Sequence, residues 1–197
     1  MVAPAPRGAG RGRGGRGCRQ ALLREFRLRR RQRSPGAGGV THSIRSARRD
    51  DYDQLCALFD ELDEFHRVKR PDFFRAFDGP ARPREQIERW CDGPDSTLLV
   101  AEEEGALLGL AVLLTRAPSD FAGAVPRKVI VIDNLVVTAR RRSRGIGRDL
   151  LDAATAWART REATHVELGV HDVNRDALRF YRRHGFALSV NWMSKAA

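Results

Sequence analysis

Apolar positions along this chain fall into two kinds of pattern. Residues 129–137 (Val-Ile-Val-Ile-Asp-Asn-Leu-Val-Val) are β-branched or aliphatic except at Asp133 and Asn134, which predicts a central strand covered on both faces. Apolar runs at 98–102 and 106–114, turned by Glu104-Gly105, predict a hairpin, and Val166, Leu168 and Val170 alternating with His165, Glu167 and Gly169 predict another strand. Spacing by threes and fours marks the helices. After Asp50 or Asp51 as a cap, Tyr52, Leu55, Cys56, Phe59, Leu62 and His66 form one stripe, with Asp53, Asp60, Glu61 and Glu64 opposite, until Pro71 ends the helix. Residues 84–90 give a second helix after Pro80 and Pro83, and Leu150, Leu151, Ala154, Trp157 and Ala158 a third, reaching about Arg161. Asn174 caps a fourth, packing Ala177, Leu178 and Tyr181 inward and stopping at Gly185, a residue suited to the left-handed terminating position. A short edge strand at 41–47 and a closing pair at 186–190 and 192–194 complete the reading.

Length and charge then set the organisation. The 197 residues suffice for one ordinary domain and a tail. The formal charge of +11 suggests a nucleic-acid binder until it is located: residues 1–39 hold 11 Arg and one acid, leaving 25 basic against 24 acidic residues elsewhere. The expected division is therefore an Arg/Gly-rich extension over 1–39, disordered for want of apolar groups, and a nearly neutral domain over 40–197. Within the extension, residues 20–33 can form a basic helix on a nucleic acid or a membrane; a solvated tail, or a true start near Val40, explains it as well. Cys18, Cys56 and Cys91 form no CxxC pair and no even set, against a disulfide framework or a zinc site. Nothing reaches the roughly 18 apolar residues of a membrane span, so a cytoplasmic protein is expected.

Candidate chemistry sits after the central strand. Arg142-Ser143-Arg144-Gly145-Ile146-Gly147 is a turn that opens directly into the third helix. Such a turn aims unpaired backbone N–H groups at one point with the positive helix end behind them, a seat for phosphate. No Gly-Lys-Ser/Thr follows, against a Walker loop, and Leu150 stands where a dinucleotide fingerprint needs its third glycine, although Glu167 lies at a fitting distance for a ribose partner. Gly145 and Gly147 could instead serve only a tight turn. Arginines at 140, 141 and 142 make that less attractive, because like charges crowd unfavourably without an anion.

These residues resemble the GNAT superfamily, the Gcn5-related N-acetyltransferases. Their coenzyme A motif, Gln/Arg-x-x-Gly-x-Gly/Ala, is matched by Arg142, Gly145 and Gly147. Their N-x-x-A-x-x-F-Y-x-x-x-G-F phrase is matched by Asn174, Ala177, Phe180, Tyr181, Gly185 and Phe186. The resemblance covers roughly residues 41–195 and implies an α/β fold: a twisted mixed sheet of six to seven strands flanked by about four helices, the central strand and the Val166 strand splayed apart. The cosubstrate would be acetyl-CoA, with no metal. Backbone along Leu135, Val136 and Val137 would bind its pantetheine arm and acetyl carbonyl, the amides of Arg142, Ser143, Arg144, Gly145, Ile146 and Gly147 its pyrophosphate, and Asn174 the pantetheine amide. Ser143 departs from the family's usual glycine, which asks that it avoid a left-handed conformation.

The resemblance also implies direct attack of a primary amine on the thioester. Tyr181 matches the general acid: a phenol of pKa about 10 can protonate a thiolate whose conjugate acid lies near 8.5. For the base, Asp133 aligns with a strand acid that relatives use through water, or it satisfies a strand bulge; Glu167 and His171 are alternatives. Asp60, Glu61, Asp63, Glu64 and His66 sit where relatives shape the acceptor pocket, and the carboxylates either favour a cationic small-molecule or peptide amine or form a solvated helix face. Dimers are frequent among relatives. Two rival functions remain: a non-catalytic acyl-CoA-binding module, against which the intact Tyr181 counts, and a nucleic-acid-associated protein acting through its tail.

Overall fold

A computed structural model describes residues 42–195, so the expectations for the segment 1–39 lie outside the described residues. Five strands stand in chain order across one sheet: β1 (Ser43–Ser46), β2 (Ser96–Glu103), β3 (Ala106–Arg116), β4 (Val129–Val137) and β5 (His165–Leu168). β1 to β4 pair antiparallel, whereas β5 lies parallel to β4. A parallel neighbour cannot be reached by a hairpin, and the crossover is α3 (Ile146–Thr160). The other helices are α1 (Tyr52–Lys69), α2 (Arg84–Asp92) and α4 (Arg175–Arg183).

The period-2 alternation of the strands sorts the core into two layers. Leu98 and Val100 of β2, Leu110 and Val112 of β3 and Val136 of β4 pack with Leu55, Leu58 and Phe59 of α1 and Ile87 and Trp90 of α2. Leu58 belongs to this buried face although the sequence stripe omits it. Alternate positions face α3, whose Leu150, Leu151 and Ala154 are buried. There Gly109 is required by contact: a Cβ on it would lie 2.6 Å from the Val136 carbonyl oxygen and 3.2 Å from Leu150 Cδ1. The β2–β3 hairpin turns at Glu104 and Gly105, both at positive φ (50° and 83°), with Glu103 paired to Ala106, as a two-residue turn demands.

Two expectations are corrected. Residues 186–190 and 192–194 form no strands among the described residues, so the sheet has five strands rather than six to seven. Their apolar alternation is real, but Leu188, Val190, Trp192 and Met193 are exposed, and without a covering surface the alternation gains too little burial to order a ladder. Asp51 precedes α1, yet its side chain makes no bond to the helix. It turns back instead, accepting from Arg45 Nη1 at 2.6 Å, Arg45 Nη2 at 2.8 Å and the Arg48 N–H at 2.7 Å. Arg45 also donates through Nε to Glu102 on the neighbouring strand, so one buried guanidinium ties the sheet edge to the start of α1.

Burial alone would raise the Asp51 pKa, but the bonds from Arg45 and Arg48 outweigh it and hold the carboxyl below its ordinary value. A depressed folded pKa contributes stability at neutral pH that is lost as pH falls through that folded value. Asp51→Ala leaves Arg45 buried without its bidentate partner and should cost about 3–5 kcal/mol in urea unfolding. It should also remove the part of the acid-induced stability loss that the wild type shows below about pH 4.

Candidate active site

The site begins where two strands part. β4 pairs with β5 only from Val129↔His165 to Ile132↔Leu168, while β3 continues beside β4 as far as Gly109↔Val137. Over residues 133–137 the β5-facing edge of β4 therefore has no strand against it, which is the splay expected of the central strands. The parting coincides with a bulge: Val112 pairs with Asn134 and Leu113 with Ile132, leaving Asp133 as the extra residue of β4. A bulge adds local twist and turns the strand away from its former direction. Asp133 itself is exposed, and its Oδ2 accepts from the Asn134 side-chain amide.

The turn expected to hold phosphate follows at once. A 3-10 turn at Ala139–Arg141 leads into it, and α3 begins at Ile146 with Gly145 as its N-cap, at φ 83°. A Cβ on Gly145 would meet nothing within 4 Å, so the backbone faces open space, and no side chain caps the first N–H groups of the helix. Ser143 takes a left-handed conformation, φ 60°, contrary to the expectation that it would avoid one. Two left-handed residues two apart are compatible with a backbone nest, in which successive N–H groups face one anion, and Ser tolerates the conformation at a modest cost. Gly147 lies where α3 meets α4: a Cβ there would stand 3.4 Å from the Phe180 ring and 3.7 Å from Val137 Cγ2, ordinary contact distances. Arg142 donates from Nε to the Val137 carbonyl at 3.1 Å, and Arg141 pairs with Glu103.

On α4, the Asn174 Oδ1 accepts from the Ala177 N–H at 3.1 Å, the cap read from sequence, and Gly185 takes φ 86° just past the helix end. Tyr181 is half-buried against Phe180 and Phe186, with ring centroids 5.3 and 5.7 Å away. Burial pushes its phenol up to about 12. The hydroxyl therefore holds its proton at any ordinary pH, as a general acid requires.

The acidic face of α1 is mostly committed. Glu61 accepts from Thr138 Oγ1 at 2.7 Å and from the Ala139 N–H at 3.0 Å, clamping the 3-10 turn that enters the phosphate turn. Asp63 pairs with Arg82 at 2.9 Å, Glu64 with Arg67, and Asp60 is exposed. Glu167 is occupied by Arg116 and, at 2.8 Å, by Arg127. His66 is half-buried against His171, Phe65 and Phe74. The Glu61 clamp and the aromatic neighbours of the histidines are not evident from the sequence pattern; Phe73-Phe74, two residues past the helix-ending Pro71, is the signal available for the latter. Among the described residues no group of His, Cys, Asp and Glu could hold a metal ion, and no helix is long and apolar enough to cross a membrane.

The acetyltransferase (GNAT) family matches residues 58–186 by sequence. Streptothricin acetyltransferase of Streptomyces lavendulae is 30% identical over 165 residues, covering 76% of this chain and 83% of that protein. An uncharacterized N-acetyltransferase of Bacillus subtilis, YhfO, is 26% identical over 144 residues, 73% of this chain and 89% of that protein. Among solved structures, a tetramutant of a Bacillus halodurans protein superposes with a TM-score of 0.74 at 28% identity, over 78% of this chain and 99% of that one.

Gly145 and Gly105 share a φ of 83° but only Gly145 stands at the turn, so valine at each separates strain from binding. Both variants should lose about 1–3 kcal/mol of stability. Calorimetry should find acetyl-CoA affinity reduced at least about tenfold, 1.4 kcal/mol, in Gly145→Val alone; equal affinities would remove the turn from the binding site.

Proposed function

The chain belongs to the acetyltransferase (GNAT) family and is an acetyl-CoA-dependent N-acetyltransferase, and we propose that it acetylates a small-molecule primary amine by the following division of labour. Amides of Arg142, Ser143, Arg144, Gly145, Ile146 and Gly147 hold the pyrophosphate, and the unpaired edge of β4 at Leu135, Val136 and Val137 receives the pantetheine arm. Support comes from the open space at Gly145, the uncapped start of α3 and the strand-free edge beyond Ile132. Acetyl-CoA supplies an activated acyl carbon; the chain supplies position, backbone donors and protons. The single observation that carries the reading is the parting of β4 from β5 directly ahead of the turn, because it leaves a strand-sized slot leading from an anion seat into the sheet.

Tyr181 is the group that protonates the departing thiolate. Its raised pKa costs driving force relative to a free phenol but guarantees the protonated form. Asn174 spends its Oδ1 on capping α4, so its part in holding the pantetheine amide falls to its Nδ2. A small amine as acceptor follows the likeness to streptothricin acetyltransferase. A reducing cytoplasm fits the thiols of Cys56 and Cys91, both free. The tail over residues 1–39 is assigned no part in transfer.

Tyr181→Phe should lower kcat by about 10²–10⁴ while calorimetry finds acetyl-CoA affinity unchanged, and a matching loss of affinity would make Tyr181 structural. With the phenol up at about 12, the wild-type rate should show no alkaline loss from Tyr181 below about pH 11. A thiol-release screen with acetyl-CoA against streptothricin, aminoglycosides, polyamines and lysine peptides tests the acceptor class. Activity confined to peptides would overturn the small-molecule assignment. Removing residues 1–39 should leave the rate with the best amine unchanged.

A further inference from the structure

Four rings from three parts of the chain meet at the mouth of the slot. His66 lies near the end of α1, Phe73 and Phe74 on the turn after it, and His171 three residues beyond the last β5 residue paired to β4. The His66 ring stacks on Phe74 at 5.2 Å and 20°, and meets His171 edge-on at 5.5 Å. His171 in turn stands edge-on to Phe74 at 5.3 Å and to Phe73 at 5.7 Å. Phe73 is 68% exposed, an apolar surface that leaves the histidines one open side.

The position of this cluster follows from α1. Glu61 of that helix touches the chain just past β4, and His66, five residues later, touches the chain just past β5. At 1.5 Å per residue, α1 thus bridges the two diverging arms with contacts about 7–8 Å apart along its axis. The His171 carbonyl also accepts the Asn174 N–H at 2.9 Å, so the residue is fixed to the start of α4, the helix that carries Tyr181.

We propose that His171, with His66 packed against it and Phe73 and Phe74 walling both, is the group that takes the proton from the acceptor ammonium; the proposal rests on the slot being the acetyl-transfer site. The other candidates are spent or bare. Glu167 is held by two arginines, and Asp133 is the exposed bulge residue bonded to Asn134. Charges facing the pair are themselves balanced. Asp63 and Arg82, which face His66, pair with each other. Asp72, which faces His171, pairs with Arg70, which also lies 4.0 Å from Asp172. Burial first, and His171 second, lower the His66 pKa, so a charge on His66 is disfavoured beside His171.

The step balances as follows. The ammonium gives one proton to the imidazole, and the freed amine forms the C–N bond to the acyl carbon. The C–S bond then breaks with its electron pair on sulfur, which takes the Tyr181 proton. The nitrogen's second proton restores the phenol through solvent, and the imidazolium releases its proton to water, a net of one proton per turnover.

The test uses the full chain, acetyl-CoA and two acceptors of similar shape. One is an alkylamine, protonated at pH 7; the other is an alkoxyamine, already neutral there. His171→Asn should lower kcat/KM about 100-fold for the alkylamine, with little change for the alkoxyamine. Acetyl-CoA affinity by calorimetry should be unaltered. Equal losses with both amines would make His171 structural, and no loss with either would put the base elsewhere. Without any substrate, NMR titration of the imidazole protons should find the His66 pKa higher in His171→Asn than in the wild type; an unmoved titration would dissolve the pair. Should the wild type bind acetyl-CoA but acetylate neither amine, the acceptor assignment falls, and the titration alone still decides whether the two imidazoles are coupled.

Discussion

Hydrogen bonding between β4 and β5 stops after four residue pairs, and the rest of the site depends on that early ending. A strand inside a sheet normally has both edges satisfied, because a buried backbone amide without a partner costs as much as a lost hydrogen bond. β4 keeps β3 along its whole length but gives up its other neighbour after Ile132, where the bulge at Asp133 changes its twist. Residues 133–137 consequently present a row of donors and acceptors on one edge only. An extended amide-bearing arm satisfies such an edge as an added strand does, through main-chain bonds independent of side-chain identity. On the proposed reading, binding at this edge is independent of side-chain identity, so acceptor choice has to be made elsewhere.

The choice falls to α1, the element that closes the slot from above. Its start is tied to the sheet edge through Asp51, Arg45 and Glu102, its middle to the turn after β4 through Glu61, and its end to the β5 arm through the His66–His171 contact. A helix fixed at three places along its length transmits position rather than flexibility. The proposed phosphate turn and amine mouth would thereby be held at a set separation, which is what direct transfer between two bound partners needs, since effective molarity is lost with a misplacement on the order of 1 Å.

What could be read from sequence was what local chemistry decides. The bounds of β4, the turn at Glu104-Gly105, the Asn174 cap and the left-handed Gly185 depend on a few adjacent residues, and all match the structure. The splay was legible only through family likeness, because nothing in Val166 or Leu168 says where pairing stops. The left-handed Ser143 was not legible because the expectation rested on residue type, which does not fix the backbone of a turn. Carboxylates were the least legible. Asp63, Glu64, Glu61 and Glu167 read alike along the chain, yet their partners lie at separations from 3 to 78 residues, set by the tertiary fold. The missing strands at 186–194 err the same way: alternation states which face could be buried, not whether anything covers it.

Charge within the domain is distributed along the slot in a way that its chemistry explains. Arg45, Arg82, Arg116 and Arg141 are paired to acids, whereas Arg140, Arg142 and Arg144 are exposed and in no ion pair among the described residues. Those three exposed arginines stand beside the uncapped start of α3, where the proposed diphosphate would bring opposite charge. At the other end Asp63 pairs with Arg82 and Asp72 with Arg70, and aromatic rings surround the two histidines. Placing bare charge at the anchoring end lets water and salt moderate affinity, so that cosubstrate and product exchange. Keeping net charge away from the reacting end means that the proton entering the imidazole pair is the main change in local charge that the acceptor's nitrogen experiences before it attacks.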